Sequence, residues 1–410
     1  MNKLIISKMT SSQSLLLSKS LSTLSISKEA TSDYIPKYFD VGVNITDKMF
    51  DGYYHGKKYN QNDIINVLKK SLIHHVNDIL LTGSSLIESK NTIDIVKKLR
   101  NDDDHLNDIP NLYSTVGVHP CTVLEFENEN TNIEKHLQNL ENLIIEGLKL
   151  NIVKAFGEIG LDYDRLHYTP MDKQLKYFQI QLELATKFNL PLFLHMRSAV
   201  DDFIKIIKPF IENNKLKNKN LLVHSFTGDS NELIKLLDLE KNDYKIFISI
   251  NGASLRDQST IDSLHLIPIN RLMIETDSPW CEIKKTHPSY KFLTKSPNKF
   301  YPSDYENYEK ITSNNKINQV LTQQSKKSPS LTLFEFLPIP IIKHDKFDKF
   351  QYMELFNETP LIKSRNEPCL IGLVAEVVSK ILAIEPEILI DNCYKNSIEV
   401  FGEIDTIERT

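Results

Sequence analysis

The chain has 410 residues, of which 40% are hydrophobic, 25% charged and 9% aromatic, the make-up of a globular protein with a large core rather than a disordered chain or a fibrous repeat. That length exceeds the ~100–200 residues of an ordinary domain. A formal net charge of −5 offers nucleic acid no global attraction, and no apolar run approaches the ~18–20 residues of a membrane span.

Residues 1–33 stand apart. Up to Lys28 they are serine-rich, basic and free of acid, as mitochondrial presequences are, but they lack the arginine of that class. They read as a disordered tail and are excluded from the fold. From residue 38 onward, short β-branched apolar runs alternate with longer amphipathic stretches. The runs are 38–46, 78–84, 112–119, 153–162, 191–197, 221–226, 244–251 and 272–279. Helical spacing of apolar residues marks 60–76, 86–99, 133–150, 172–188, 199–211 and 230–239 between them. Strand–helix alternation predicts parallel strands with crossover helices, and eight such units predict an α/β fold, a closed (β/α)8 TIM barrel.

After Pro279 the regularity fails. Residues 283–363 are rich in Lys, Asn, Ser, Pro and Tyr and read as a low-complexity insertion, with one apolar island at 331–342. The island's prolines argue against a central strand, though it could dock on the barrel or on a partner. Helical patterning returns at 366–382 and 386–401. The barrel domain is therefore expected over 34–282 and 364–403, close to the ~250 residues typical of this architecture. The four cysteines, Cys121, Cys281, Cys369 and Cys393, are far apart and contain no C-x-x-C pair, which argues against a disulfide scaffold and suits a reducing compartment.

Barrel enzymes carry their chemistry at the C-terminal ends of strands. Here those ends hold Glu158, His195, His224 and Asp277. Two imidazoles and two carboxylates at one barrel mouth form a divalent-metal site, suited to Zn²⁺, Mn²⁺ or Fe²⁺, or to Mg²⁺ if waters complete its sphere. With one ion the site is neutral. With two it is positive and attracts a phosphodiester, the arrangement used in phosphoryl transfer. Glu158 is the natural bridge between two ions, and Asp277 is placed to bind one and to take the proton of the attacking water. Glu275, two residues earlier on the same strand, either orients a ligand or serves as a buried structural carboxylate. Arg165, Arg197 and Arg365 are candidates to fork onto a phosphate, with surface pairing as the alternative. His119 either touches substrate or bonds a loop.

The motifs GEIGLDYDR, HMR, HSFTG, ETDSPW and RNEP, in this order, resemble the TatD family of metal-dependent deoxyribonucleases, and FDVGVNITDKMFDGYYHG resembles its eukaryotic branch. The resemblance covers about 38–282 and 363–401. It implies a barrel of the metallo-dependent hydrolase type, two divalent cations (Mg²⁺, Mn²⁺ or Zn²⁺), DNA as substrate, and an intracellular location, nucleus or cytoplasm, with the mitochondrion left open by the tail. No membrane association and no obligate protein partner are expected. One departure stands out: where many members carry a His-x-His pair on the first strand, this chain has Gly42 and Asn44. The first ion would then lean on Glu158, Asp277, water and substrate. Two alternatives remain at this level: hydrolysis of an ester or amide, such as an aminoacyl-tRNA linkage, on the same barrel, and a metal-binding scaffold without turnover.

Overall fold

The computed structural model describes residues 34–127, 132–301, 310, 313–323, 331–350, 353–356 and 358–402. The reading of residues 1–33 lies outside them. Eight parallel strands run in sequence order around one sheet: β1 Tyr38–Val43, β2 Val76–Leu81, β3 Asn111–Val116, β4 Val153–Asp162, β5 Leu192–Arg197, β6 Asn220–His224, β7 Lys245–Ile250 and β8 Leu272–Ile274. The sheet closes just beyond β8, where Asp277 N–H donates to Gly42 O (2.9 Å) and Asn44 N–H to Ser278 O (2.8 Å). This is the TIM barrel expected from the strand–helix alternation.

The crossover helices follow the apolar spacing. They are α1 Ile64–Ile73, α2 Leu86–Arg100, α3 Ile133–Lys149, α4 Met171–Ala185, α5 Val200–Glu212, α6 Ser230–Leu237 and the short α7 Gln258–Ser263. Three of their starts are capped by side chains, those of α2 and α6 among them. Ser85 accepts from Glu88 N–H at the head of α2, and Asp229 with Glu232 forms a reciprocal cap on α6. Among the described residues, no helix is long and apolar enough to cross a membrane.

The barrel interior is filled from one end. Phe39, Leu80, Tyr113, Ala155, Phe193, Leu222, Phe247 and Met273, one from each strand, are buried together with Val400 and Phe401 of the last helix. The Phe39 and Phe401 rings lie 5.7 Å apart. This apolar plug closes the N-terminal end of the barrel. Side chains two positions further along each strand point inward too, one layer nearer the open end. Phe193 is thus followed by His195, Leu222 by His224, and Met273 by Glu275 and then Asp277. On β4 the register against β5 shifts between Phe156 and Ile159, and this irregularity re-aims the strand so that Glu158, Gly160 and Asp162 share the inward face.

The segment 283–363 differs from its low-complexity reading. Its described part contains a helix, α8 Asn315–Gln323, and a small sheet of β9 Leu331–Leu333, β10 Pro340–Ile342 and β11 Leu361–Ile362. β10 is central, antiparallel to β9 and parallel to β11. Pro340 is tolerated there because it is the first residue of the strand, where a missing N–H costs the ladder least. The segment packs on the barrel: Tyr38 donates its hydroxyl to Phe300 O (3.0 Å) and Tyr301 donates to Cys369 O (3.0 Å), with both tyrosines buried. α9 Ile371–Leu382 and α10 Pro386–Phe401 complete the ring.

Candidate metal centre

Glu158, His195 and His224 meet above the apolar plug. Glu158 Oε1 lies 2.8 Å from His195 Nδ1 and 2.6 Å from His224 Nε2, and the two ring nitrogens are 3.4 Å apart. Each ring is oriented from behind. Asp162 Oδ2 sits 3.1 Å from His195 Nε2, and Glu275 Oε1 sits 3.4 Å from His224 Nδ1. Glu275 is fully buried and accepts from Ser249 Oγ (2.8 Å) and Asn251 Nδ2 (3.0 Å).

A cavity of about 510 Å³ opens over these groups and is also lined by Asp277, His119, Arg165 and Arg197. Asp277 accepts from Asn44 Nδ2 (2.8 Å) and from the Cys281 thiol (3.1 Å). Burial, opposed by the His224 imidazole and reinforced by Glu275, pushes its carboxyl up to about 6. His119 accepts the Cys121 N–H at Nδ1 (3.0 Å), so its Nε2 carries the proton and faces Glu158 Oε1 at 3.4 Å. Burial holds its pKa down to about 3, which keeps this donor neutral. Arg165 Nε stands 3.7 Å from Asp162 Oδ2, and Arg197 Nε donates to Asp164 Oδ2 (2.8 Å).

The donor set fits a cation. A carboxylate can only accept, so Asp162 takes the proton of His195 Nε2 and leaves the Nδ1 lone pair aimed at Glu158 Oε1, another lone-pair donor. Such an opposition needs a proton or a cation between the atoms. Without metal it is met by protons. Burial alone would lower His224, but Glu158 and Glu275 raise it well above the ordinary histidine value. Burial alone would raise Glu158, but His119 and His224, with hydrogen bonds from both His195 and His224, hold it well below the usual carboxylate range. A cation entering this cluster displaces protons from the rings.

Arg365 is elsewhere and is no phosphate fork, contrary to the expectation from its sequence. Its guanidinium is buried, forked onto Asp63 (2.8 and 2.6 Å) and bonded to Glu367 (2.9 Å), while Glu367 also pairs with Lys70 (2.8 Å). Two cations and two carboxylates neutralise one another inside the protein and leave Arg365 no access to a substrate.

The family model for TatD-related DNases matches residues 39–328. The chain belongs to this family. It is 33% identical over 426 residues to the deoxyribonuclease Tat-D of Saccharomyces cerevisiae, covering 90% of this chain and 91% of that one. It is 30% identical over 368 residues to the deoxyribonuclease Tat-D of Schizosaccharomyces pombe, covering 90% and 96%. The crystal structure of an uncharacterized amidohydrolase from Saccharomyces cerevisiae matches with a TM-score of 0.70 and 33% identity, over 90% of this chain and 100% of that one.

Within the TatD fold, the missing His-x-His pair has a steric explanation. A Cβ at Gly42 would stand 2.9 Å from Glu275 Oε2, so the first position is closed by the carboxylate that backs His224. Asn44, at the second position, points its amide at Asp277. Sequence reasoning overlooked Asp162, and it placed Asn44 at the His-x-His position without its bond to Asp277. Asp162 carried a usable signal, because it lies two period-two steps beyond Glu158 on the same face. The partner of Asn44 became visible only where β1 meets the end of β8.

Proposed function

We propose that this protein is a divalent-metal-dependent deoxyribonuclease that hydrolyses DNA phosphodiester bonds. The observation that carries the reading is the convergence of one carboxylate oxygen and two imidazole nitrogens, backed by Asp162 and Glu275, at the floor of a cavity rimmed by two arginines. Glu158, His195, His224 and Asp277 would hold two cations, Mg²⁺, Mn²⁺ or Zn²⁺, with Glu158 shared between them. When bound, such ions lower the pKa of water and offset the charge of the phosphate.

The protein's own groups have separate tasks. Asp277, fixed by Asn44 and Cys281, accepts the proton of the attacking water. The His119 Nε2–H donates to a phosphate oxygen, and the guanidinium groups of Arg165 and Arg197 fork onto the same anion. Free Cys121, Cys281, Cys369 and Cys393 support a reducing compartment, nucleus or cytoplasm, as the place of action. We read residues 34–282 and 364–403 as the barrel domain and the segment between them as an elaboration that packs on it.

The test is hydrolysis of DNA with and without excess chelator, and by a His195→Ala, His224→Ala double variant. Chelation should abolish cleavage, and the double variant should lose several orders of magnitude of rate, because uncatalysed phosphodiester cleavage is extremely slow. Full activity under chelation, or turnover of a small ester or amide with no cut in DNA, would overturn the proposal.

A further inference from the structure

Beside the catalytic cavity lies a second depression of about 1270 Å³, whose lining includes Lys48, Tyr53, Lys343, His344 and Lys363, and Trp280 lines both. Trp280 is the only tryptophan in the chain and is 50% exposed. Among the described residues, the exposed phenylalanine, tyrosine and tryptophan side chains are Tyr53, Tyr168 and Trp280, and all three line one or both of these cavities. Tyr168 stands at the catalytic cavity, Tyr53 in the groove, and Trp280 in the wall of both.

Lys48, Lys343 and Lys363 also line the groove, all exposed. Among the described residues, none of the three has a carboxylate within salt-bridge distance. The groove also contains Asp47, Asp51 and Glu88, which accept from Met49 N–H (2.8 Å), the Asn62 amide (2.5 Å) and the Ser84 hydroxyl; these neutral donors hold the carboxylates in place without removing their charge, so the three lysines bring the groove to neutrality and must contact a phosphate individually. One wall is preformed, since the His344 ring stacks on Tyr54 at 4.5 Å and 14° and meets the edge of Tyr59 at 4.5 Å. Ammonium groups outside any salt bridge beside exposed aromatic faces, in a groove that shares Trp280 with the catalytic cavity, are what a flexible polyanion with flat bases requires.

We propose that this groove is a second substrate subsite, which holds the nucleotides flanking the scissile bond as a single strand passing over Trp280. The elaboration around residues 343–364 then has a purpose: it supplies Lys343, His344 and Lys363 and lengthens the track beyond the metal centre. The proposal rests on the nuclease reading for the identity of the strand.

The test uses the full-length, metal-loaded protein and a phosphorothioate oligothymidine of about 12 nucleotides, compared with a trinucleotide, at several salt concentrations. Trp280 itself is the reporter: stacking of a base on it should quench the protein's only indole. The Lys48→Ala, Lys343→Ala, Lys363→Ala variant should bind the long strand at least tenfold more weakly. Its slope of log affinity against log salt should become shallower by about 2, at ~0.7 per lost phosphate contact with a single strand. Affinity for the trinucleotide should change by less than about twofold, and a Lys→Arg version of all three should retain the long-strand affinity and slope. Equal losses for long and short strands, or an unchanged salt slope, would overturn the proposal. The two readings fail separately. If the protein cleaves DNA but the lysine variant binds both lengths normally, the groove assignment falls. If long-strand binding depends on the lysines but no DNA is cut, the nuclease reading falls instead.

Discussion

Replacing Asp162 by Asn alters one atom of the group that orients His195. Asp162 Oδ1 accepts Asp164 N–H (3.0 Å), and an amide oxygen there keeps that bond. At the Oδ2 position, 3.1 Å from His195 Nε2, an acceptor becomes an NH₂ donor. The ring must then give up its Nε2 proton and carry one on Nδ1, the atom that faces Glu158 Oε1 at 2.8 Å. A cation can bind only after that tautomer is reversed or the contact with residue 162 is broken. Loss of such a supporting carboxylate ordinarily costs ~10–100-fold in metal affinity. At ~1.4 kcal/mol per factor of ten this is about 1.4–2.8 kcal/mol. Competition with a chromophoric chelator measures it directly, and a urea titration shows whether the fold is intact. Metal affinity within about twofold of the parent, in a variant that unfolds at the parent's urea concentration, would refute the reasoning.

Gly42→Ala places a Cβ against Glu275 Oε2, which is held by Ser249 and Asn251 and cannot swing away; a loss of about 1–3 kcal/mol in urea unfolding is expected. Combined with Glu275→Ala, the loss should fall short of the sum of the two single losses. Arg365→Met strands the buried carboxylates of Asp63 and Glu367 and should cost roughly 3–5 kcal/mol of stability, whereas a phosphate-binding arginine would leave stability unchanged and raise KM. His75 gives a pH signature in the stability. Burial, with the His74 imidazole adding to it, lowers its pKa from 6.5 to about 4. Between those values the unfolded chain binds more protons than the native one, so stability is complete above pH 6.5 and declines as pH falls toward 4. The partial exposure of His75 reduces the full linkage value to about 1–3 kcal/mol. Urea midpoints across that range check it, and His75→Asn, which tolerates the positive φ of 67° at this position, should flatten the slope.

Local chemistry made much of this molecule legible in advance. Eight apolar runs separated by helical spacing announce a barrel, because a parallel strand buried on both faces must be almost wholly apolar and a crossover helix must be amphipathic. The positions of Glu158, His195, His224 and Asp277 at strand ends are likewise a matter of counting along the chain. Their supports were not legible in the same way. Whether Arg365 meets solvent or a buried pair of carboxylates depends on Asp63, about 300 positions away in sequence and beside it only after α1 docks. Pro340 could enter a central strand because Leu333 and Leu361 lie on either side of β10 in the folded chain. Gly42 and Glu275 compete for one space only once the first and last strands close the barrel. Periodicity and residue type are properties of neighbours along the chain, so the sequence by itself determined the architecture and the layer in which the chemistry sits. Desolvation and pairing are properties of neighbours in space, so only the tertiary structure decided which charges are spent on stability, which orient a ligand atom, and which remain free to meet a substrate.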